Sequence, residues 1–286
     1  MQSSNPVFTR SETFNGRATR SAAGTRSPAD WSVGSPGTSG TGGPTSPVSP
    51  TQVGGDRITI DSVVQRTAAT LGLLVASAAV TWLVIGEVAG TGADAAANLS
   101  QARALMIGGA LIGFGLAMVN SFKRVVSPAL VLAYAVVQGV AVGAISKVFE
   151  TFFDGVVLGA IVGTMAAFAG TLTAYKVLDI KVTDKFRRGV VAAMFGFVAL
   201  AMLSFVMSFF GAGFGFNGFG TFGLITSVVG VILGVLMLIL DFDFVERAVA
   251  AGAPERESWR AAFGLTVTIV WIYIEMLRIL AILRGD

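Results

Sequence analysis

Two aspartates, Asp241 and Asp243, close an apolar run in LMLILDFDFVER, and Glu275 sits inside a second run, VWIYIEMLRIL, with Arg278 three residues on. Ionisable groups at membrane depth are rare and costly; where they occur they line ion paths, relay protons or pair with one another. A carboxylate at the end of an apolar helix can bind a cation or take up a proton. Asp241 is therefore the candidate ion- or proton-responsive group and the candidate metal ligand, with Asp243 beside it. Residues two apart point to different faces of a helix, so Asp243 by itself reads as a helix turning polar at the headgroups. Glu275 and Arg278, at i and i+3, share a face and read as a mutual ion pair inside a bundle. At 1.5 Å per residue, Glu275 lies about 22 Å along its helix from Arg260, which puts direct contact with Asp241 out of reach. Thr266 and Thr268 are nearer that depth and could line the same pathway. Gln138 is one further polar group in an apolar segment.

The residue types that are missing narrow the chemistry further. The chain of 286 residues has no histidine and no cysteine. That removes the commonest general base, thiol nucleophiles, the Ser-His triad and the usual zinc ligands. No phosphate-binding GxxxxGK[ST] occurs, and an aspartyl mechanism would need two carboxylates facing each other at depth. The expectation is a protein that is not an enzyme and carries no cofactor. Nucleic acid is not an expected partner either, because Asp179 and Asp184 interrupt the basic loop Lys176 to Arg188.

The elements that must hold these groups are membrane spans. Apolar residues make up 53% of the chain and charged residues 13%, about half the charge of a soluble domain. A membrane helix takes about 20 mostly apolar residues. Seven segments qualify, at 64–88, 104–122, 127–149, 154–176, 188–210, 221–243 and 261–283. The expected fold is all-α, a seven-transmembrane-helix bundle over 57–286. Residues 1–56, with six of the eight prolines and abundant Ser, Gly and Thr, have little to bury and read as a disordered tail. Gly90 to Asn98 is expected to separate the first two spans, and Asp241 to Arg260 to form the longest polar break. With the N-terminus inside, 16 of the 20 basic residues fall on inner segments, which supports a cytoplasmic N-terminus and an outer C-terminus. Glycines four apart (Gly155, Gly159 and Gly163; Gly139 and Gly143) mark faces where helix backbones can meet closely.

Three segments carry a family resemblance: SPALVLAYAVVQGVAVGAIS from Ser127, LILDFDFVERAVAAGAPERESW, and the last helix ending in MLRILAIL. With seven spans in this order, the chain resembles the Bax inhibitor/YccA family, also called transmembrane Bax inhibitor motif proteins, over about 58–284. SSNPVFTR, LDFDF and IEMLR look like its actinobacterial-type branch. The resemblance implies a bundle whose last helix is surrounded by the other six, in a bacterial plasma membrane. It also implies a pH-sensitive calcium leak gated by two aspartates. Asp241 matches the first of these positions; Thr266 or Thr268 stands at the second. Bacterial members are linked to the membrane protease FtsH. Two readings follow: a protein that passes or senses Ca²⁺ or H⁺ across the bilayer through Asp241, or a non-transporting regulator that binds a membrane protease or stress factor.

Overall fold

The computed structural model describes residues 57–123, 125–211, 216 and 218–285. The expected tail 1–56 lies outside them. Seven helices follow in order: α1 (Ile60–Val84), α2 (Ala93–Phe122), α3 (Pro128–Phe152), α4 (Val156–Val177), α5 (Asp184–Ser208), α6 (Thr221–Ala250) and α7 (Glu257–Gly285). Each is long and apolar enough to cross a membrane. The protein is a multi-pass, all-α membrane protein.

Local chemistry sets the helix starts. Thr59 caps α1 reciprocally: its hydroxyl accepts from Ser62 N at 3.1 Å, and Ser62 Oγ accepts from Thr59 N at 3.1 Å. Thr183 caps α5 through Phe186 N, and α3 opens on Pro128, where a missing N–H costs nothing. Replacing Thr59 by Ala should cost about 1 kcal/mol. Faster amide exchange across the first turn of α1 would report that loss.

Three boundaries differ from the sequence expectation. α2 begins at Ala93 rather than after Asn98, because Asp94 and a run of alanines favour a first helical turn. α6 continues through the polar stretch to Ala250, since Asp243 and Arg247 pair across one of its turns. The polar break after it is correspondingly short. Gly155 is not inside α4. It is the residue before it, at φ 73°, a left-handed conformation that favours glycine.

α7 packs closely against α1, α3, α4 and α6. α2 and α5 stand further out, so the last helix has four close neighbours and not six. α5 reaches it through the ring of Phe197, edge-on to Trp271 at 5.4 Å. The burial pattern agrees. About half of the most apolar stretch of α3, α6 and α7 is buried within the protein, against 17–22% for the other four helices, whose faces are left for lipid.

The glycine spacing sets these approaches. Gly139 and Gly143 of α3 meet α1 at Leu74, Ser77 and Ala78; Gly159 and Gly163 of α4 meet Leu280 and Met276 of α7. Gly230 and Gly234 of α6 admit Glu275 and Ile272 of α7.

Candidate functional site

Asp241 sits near the C-terminal end of α6, where α2 ends and α7 begins. Its Oδ2 lies 2.6 Å from Thr268 Oγ1, which is also 3.1 Å from the Gly264 carbonyl. A hydroxyl has one proton to give, and the shorter contact gives it to the carboxylate. Oδ1 lies against Gly264, where a Cβ would stand 3.2 Å from it. Thr268 thus holds one carboxylate oxygen, and Gly264 leaves room for the other.

That carboxylate borders a cavity of about 300 Å³, lined also by Asn120, Ser121, Phe244, Arg260 and Gly264. Asn120 is the unexpected member. It is 4% exposed, and neither polar atom of its amide has a hydrogen-bond partner among the described residues. A buried amide left unsatisfied costs about 1–3 kcal/mol and is a ready ligand for water or a hydrated ion. Arg260 supplies the opposite charge and pairs with Glu257 at 3.1 Å. Ser121 and Phe244 are exposed, so the cavity wall reaches the protein surface.

The oxygens here do not make a calcium cage. Ca²⁺ takes six to eight oxygen ligands, whereas this cavity offers one carboxylate, one amide and one hydroxyl beside a guanidinium. No group of three or more acidic residues able to hold a metal ion occurs among the described residues. The arrangement suits a proton, or a cation passing with its water.

Asp243 lies differently from the sequence expectation. It is not an exposed residue at a helix turning polar but is buried, accepting from Arg187 Nη2 at 2.8 Å and from Arg247 Nε at 2.9 Å. Arg247 also donates to the Val182 carbonyl at 2.8 Å. Both carboxylate oxygens are occupied, and the cluster ties the start of α5 to the end of α6. Two salt bridges hold a helix that continues past the apolar run.

The other predicted residues fall in separate places. Thr266 is fully buried and turns back to the Ala262 carbonyl; only Thr268 reaches Asp241. Glu275 and Arg278 pair at 2.8 Å, and Arg278 Nε donates to Ser227 Oγ at 2.5 Å. The Glu275 carboxyl lies against Gly230, about 16 Å along α6 from Asp241. Between the two sites the α6–α7 interface is apolar: Leu238 and Ile272 are fully buried, and Trp271 donates to the Gly230 carbonyl at 2.9 Å. Gln138 lies over Gly113 of α2 and is not in the cavity wall. At the same end of the bundle as Asp241, Arg66 of α1 pairs with Glu255 and lies 5.1 Å from the Trp259 ring centroid.

Asn120 had a sequence signal, a lone amide closing the apolar run GLAMVN. The stronger marks of Lys123, Arg124 and Pro128 just after it obscure that signal and place it in a boundary.

A family model described as Bax inhibitor 1 like matches residues 5–285. The match takes in most of the N-terminal segment, where the resemblance by motif rests on SSNPVFTR alone. No curated protein matches the chain.

Proposed function

Since the chain belongs to the Bax inhibitor 1-like family, we propose that it is a cation leak or sensor of a bacterial plasma membrane, with its N-terminus cytoplasmic and Asp241 as the responsive carboxylate. The observation that carries this reading is the cavity that brings Asp241 and the unsatisfied Asn120 amide together beside Arg260. A proton or a hydrated cation, Ca²⁺ among them, enters from the basic, inner end of the bundle and meets Asp241 first. Beyond it the apolar α6–α7 interface around Leu238 and Ile272 is a closed barrier of the kind that stops ions by excluding water. Protonation of Asp241 removes the charge that accepts from Thr268. That contact joins α6 to α7, so its weakening when the charge assistance is lost loosens the interface that must part. Asp243 has no part in the response, because Arg187 and Arg247 already occupy it.

The test is ion entry into proteoliposomes holding the purified full chain. Ca²⁺ and H⁺ are followed separately from mildly acidic to mildly basic pH, with Asp241→Asn and Asn120→Leu alongside. Flux that depends on pH in the native chain, loses that dependence in D241N and falls in N120L is the expected result. Flux with the same pH profile in D241N would remove Asp241 from the response. Absence of both fluxes from folded protein would remove the transport reading altogether.

A further inference from the structure

A second cavity, of about 580 Å³, lies on the flank of the bundle, away from Asp241. The backbones of α1 and α4 do not approach each other closely, and the gap between them is floored by α3 and α7. Its walls are side chains open to the bilayer: Val75 and Leu83 of α1 are 62% and 81% exposed, and Met165 of α4 is 61% exposed. The polar groups on the floor are spent on one another or on backbone. The hydroxyls of Ser146 and Tyr273 lie 2.7 Å apart, and Thr164 donates to the Ala160 carbonyl. An apolar occupant therefore leaves nothing unsatisfied. The volume falls within the ~300–1,000 Å³ typical of ligand sites.

Two further features identify that occupant. The wall of α1 from Leu71 to Leu83 is about 18 Å long at 1.5 Å per residue. That is close to the depth of one leaflet of a hydrocarbon core about 30 Å thick. At the far end of this wall Trp82 lies two residues before the end of α1, the position where tryptophan marks a headgroup boundary. The Lys147 ammonium stands 5.3 Å from the Trp82 ring centroid and pairs with no carboxylate among the described residues. Glu150, one turn on, is committed to the backbone N–H groups of Gly155 and Val157. A cation is thus held at headgroup level over the mouth of an apolar slot one leaflet deep. The N-terminal segment is rich in Ser, Gly and Pro, so its chemistry does not match the slot.

We infer that this groove is a binding site for one anionic phospholipid, with an acyl chain between α1 and α4 and the phosphate on Lys147. The site does not depend on the role of Asp241.

The experiment uses the full chain reconstituted with equal amounts of phosphatidylglycerol and phosphatidylcholine. The protein is then exchanged into detergent and weighed by native mass spectrometry, with lipid phosphorus as an independent count. The expected result is one retained phospholipid per chain, with phosphatidylglycerol preferred about tenfold, the value of one charged contact. Lys147→Glu should keep the retained chain and lose the headgroup preference. Ala79→Trp, on the exposed wall of the groove, should lose the retained lipid at an unchanged melting temperature. Lipid retention unaffected by A79W, headgroup preference unaffected by K147E, or a native chain that retains no lipid would each overturn the site. So would a lipid-free dimer that A79W dissolves, since a second copy would then fill the groove.

Discussion

Arg278→Met should lower the stability of the folded chain by about 3–5 kcal/mol, the cost of removing one partner from a buried ion pair. Glu275 and Arg278 have side chains only 7% and 14% exposed. Without the guanidinium, the Glu275 carboxylate is left buried against Gly230 with the Ser227 hydroxyl as its remaining polar neighbour, and Ser227 Oγ loses the Arg278 donor. The loss should appear as a lower unfolding midpoint in detergent or in nanodiscs. The double variant Glu275→Gln with Arg278→Met separates the two contributions. It should recover a substantial part of the loss, because the stranded charge has gone. A double variant as unstable as R278M alone would mean that Arg278 acts through its packing and its bond to Ser227. A single variant as stable as the native chain would mean that the pair carries no stability.

Gly139→Val is the other substitution expected to have a large effect. The space that a Cβ would need is taken by Ser77 Oγ and the Leu74 carbonyl of α1. Overpacking usually costs 1–3 kcal/mol when side chains can shift. Here one of the obstructing groups is backbone, so α1 and α3 must separate and the cost should be at least about 3 kcal/mol. The same change at Gly196 of α5, which has nothing near its Cβ position, should be close to neutral. A large drop in folded yield for G139V beside a normal yield for G196V would show that the effect is contact with α1 and not helix propensity. Equal behaviour would mean that the α1–α3 approach has slack.

What could be read before folding, and what could not, follows from the range of each interaction. Seven spans were legible because each is a property of about 20 consecutive residues. The pairing of Glu275 with Arg278 was legible for the same reason, as one helix turn brings them together. Asp243 was not. Its burial depends on Arg187, 56 residues earlier, and no local pattern announces a partner so distant in sequence. Asn120 failed in the same way: its surroundings come from α6 and α7, and the basic residues just after it looked like an ordinary loop. The sequence placed Thr268 near the depth of Asp241, but only the crossing of α6 and α7 decides that Thr268 makes the contact while Thr266 faces its own backbone. The helix ends were misplaced where polar residues form pairs inside a helix, as at Asp243 and Arg247, because a run of charge resembles a loop until its partners are known.

The position of α7 bears on how the protein is made. It has four close neighbours, as α3 and α6 also do, and it follows the other six in chain order. During synthesis α1, α2 and α3 can pair as they leave the ribosome, since α1 and α2 both rest on α3. α4 and α6 must wait in the bilayer with their glycine faces uncovered until the last segment arrives. Gly159, Gly163, Gly230 and Gly234 all face that late helix. Such a chain spends the interval before its final span as a set of unfinished surfaces, open to quality-control proteases and to any insertase able to shelter them. Completion then comes in one step, when α7 brings in the buried Glu275–Arg278 pair and closes the interface beside Asp241.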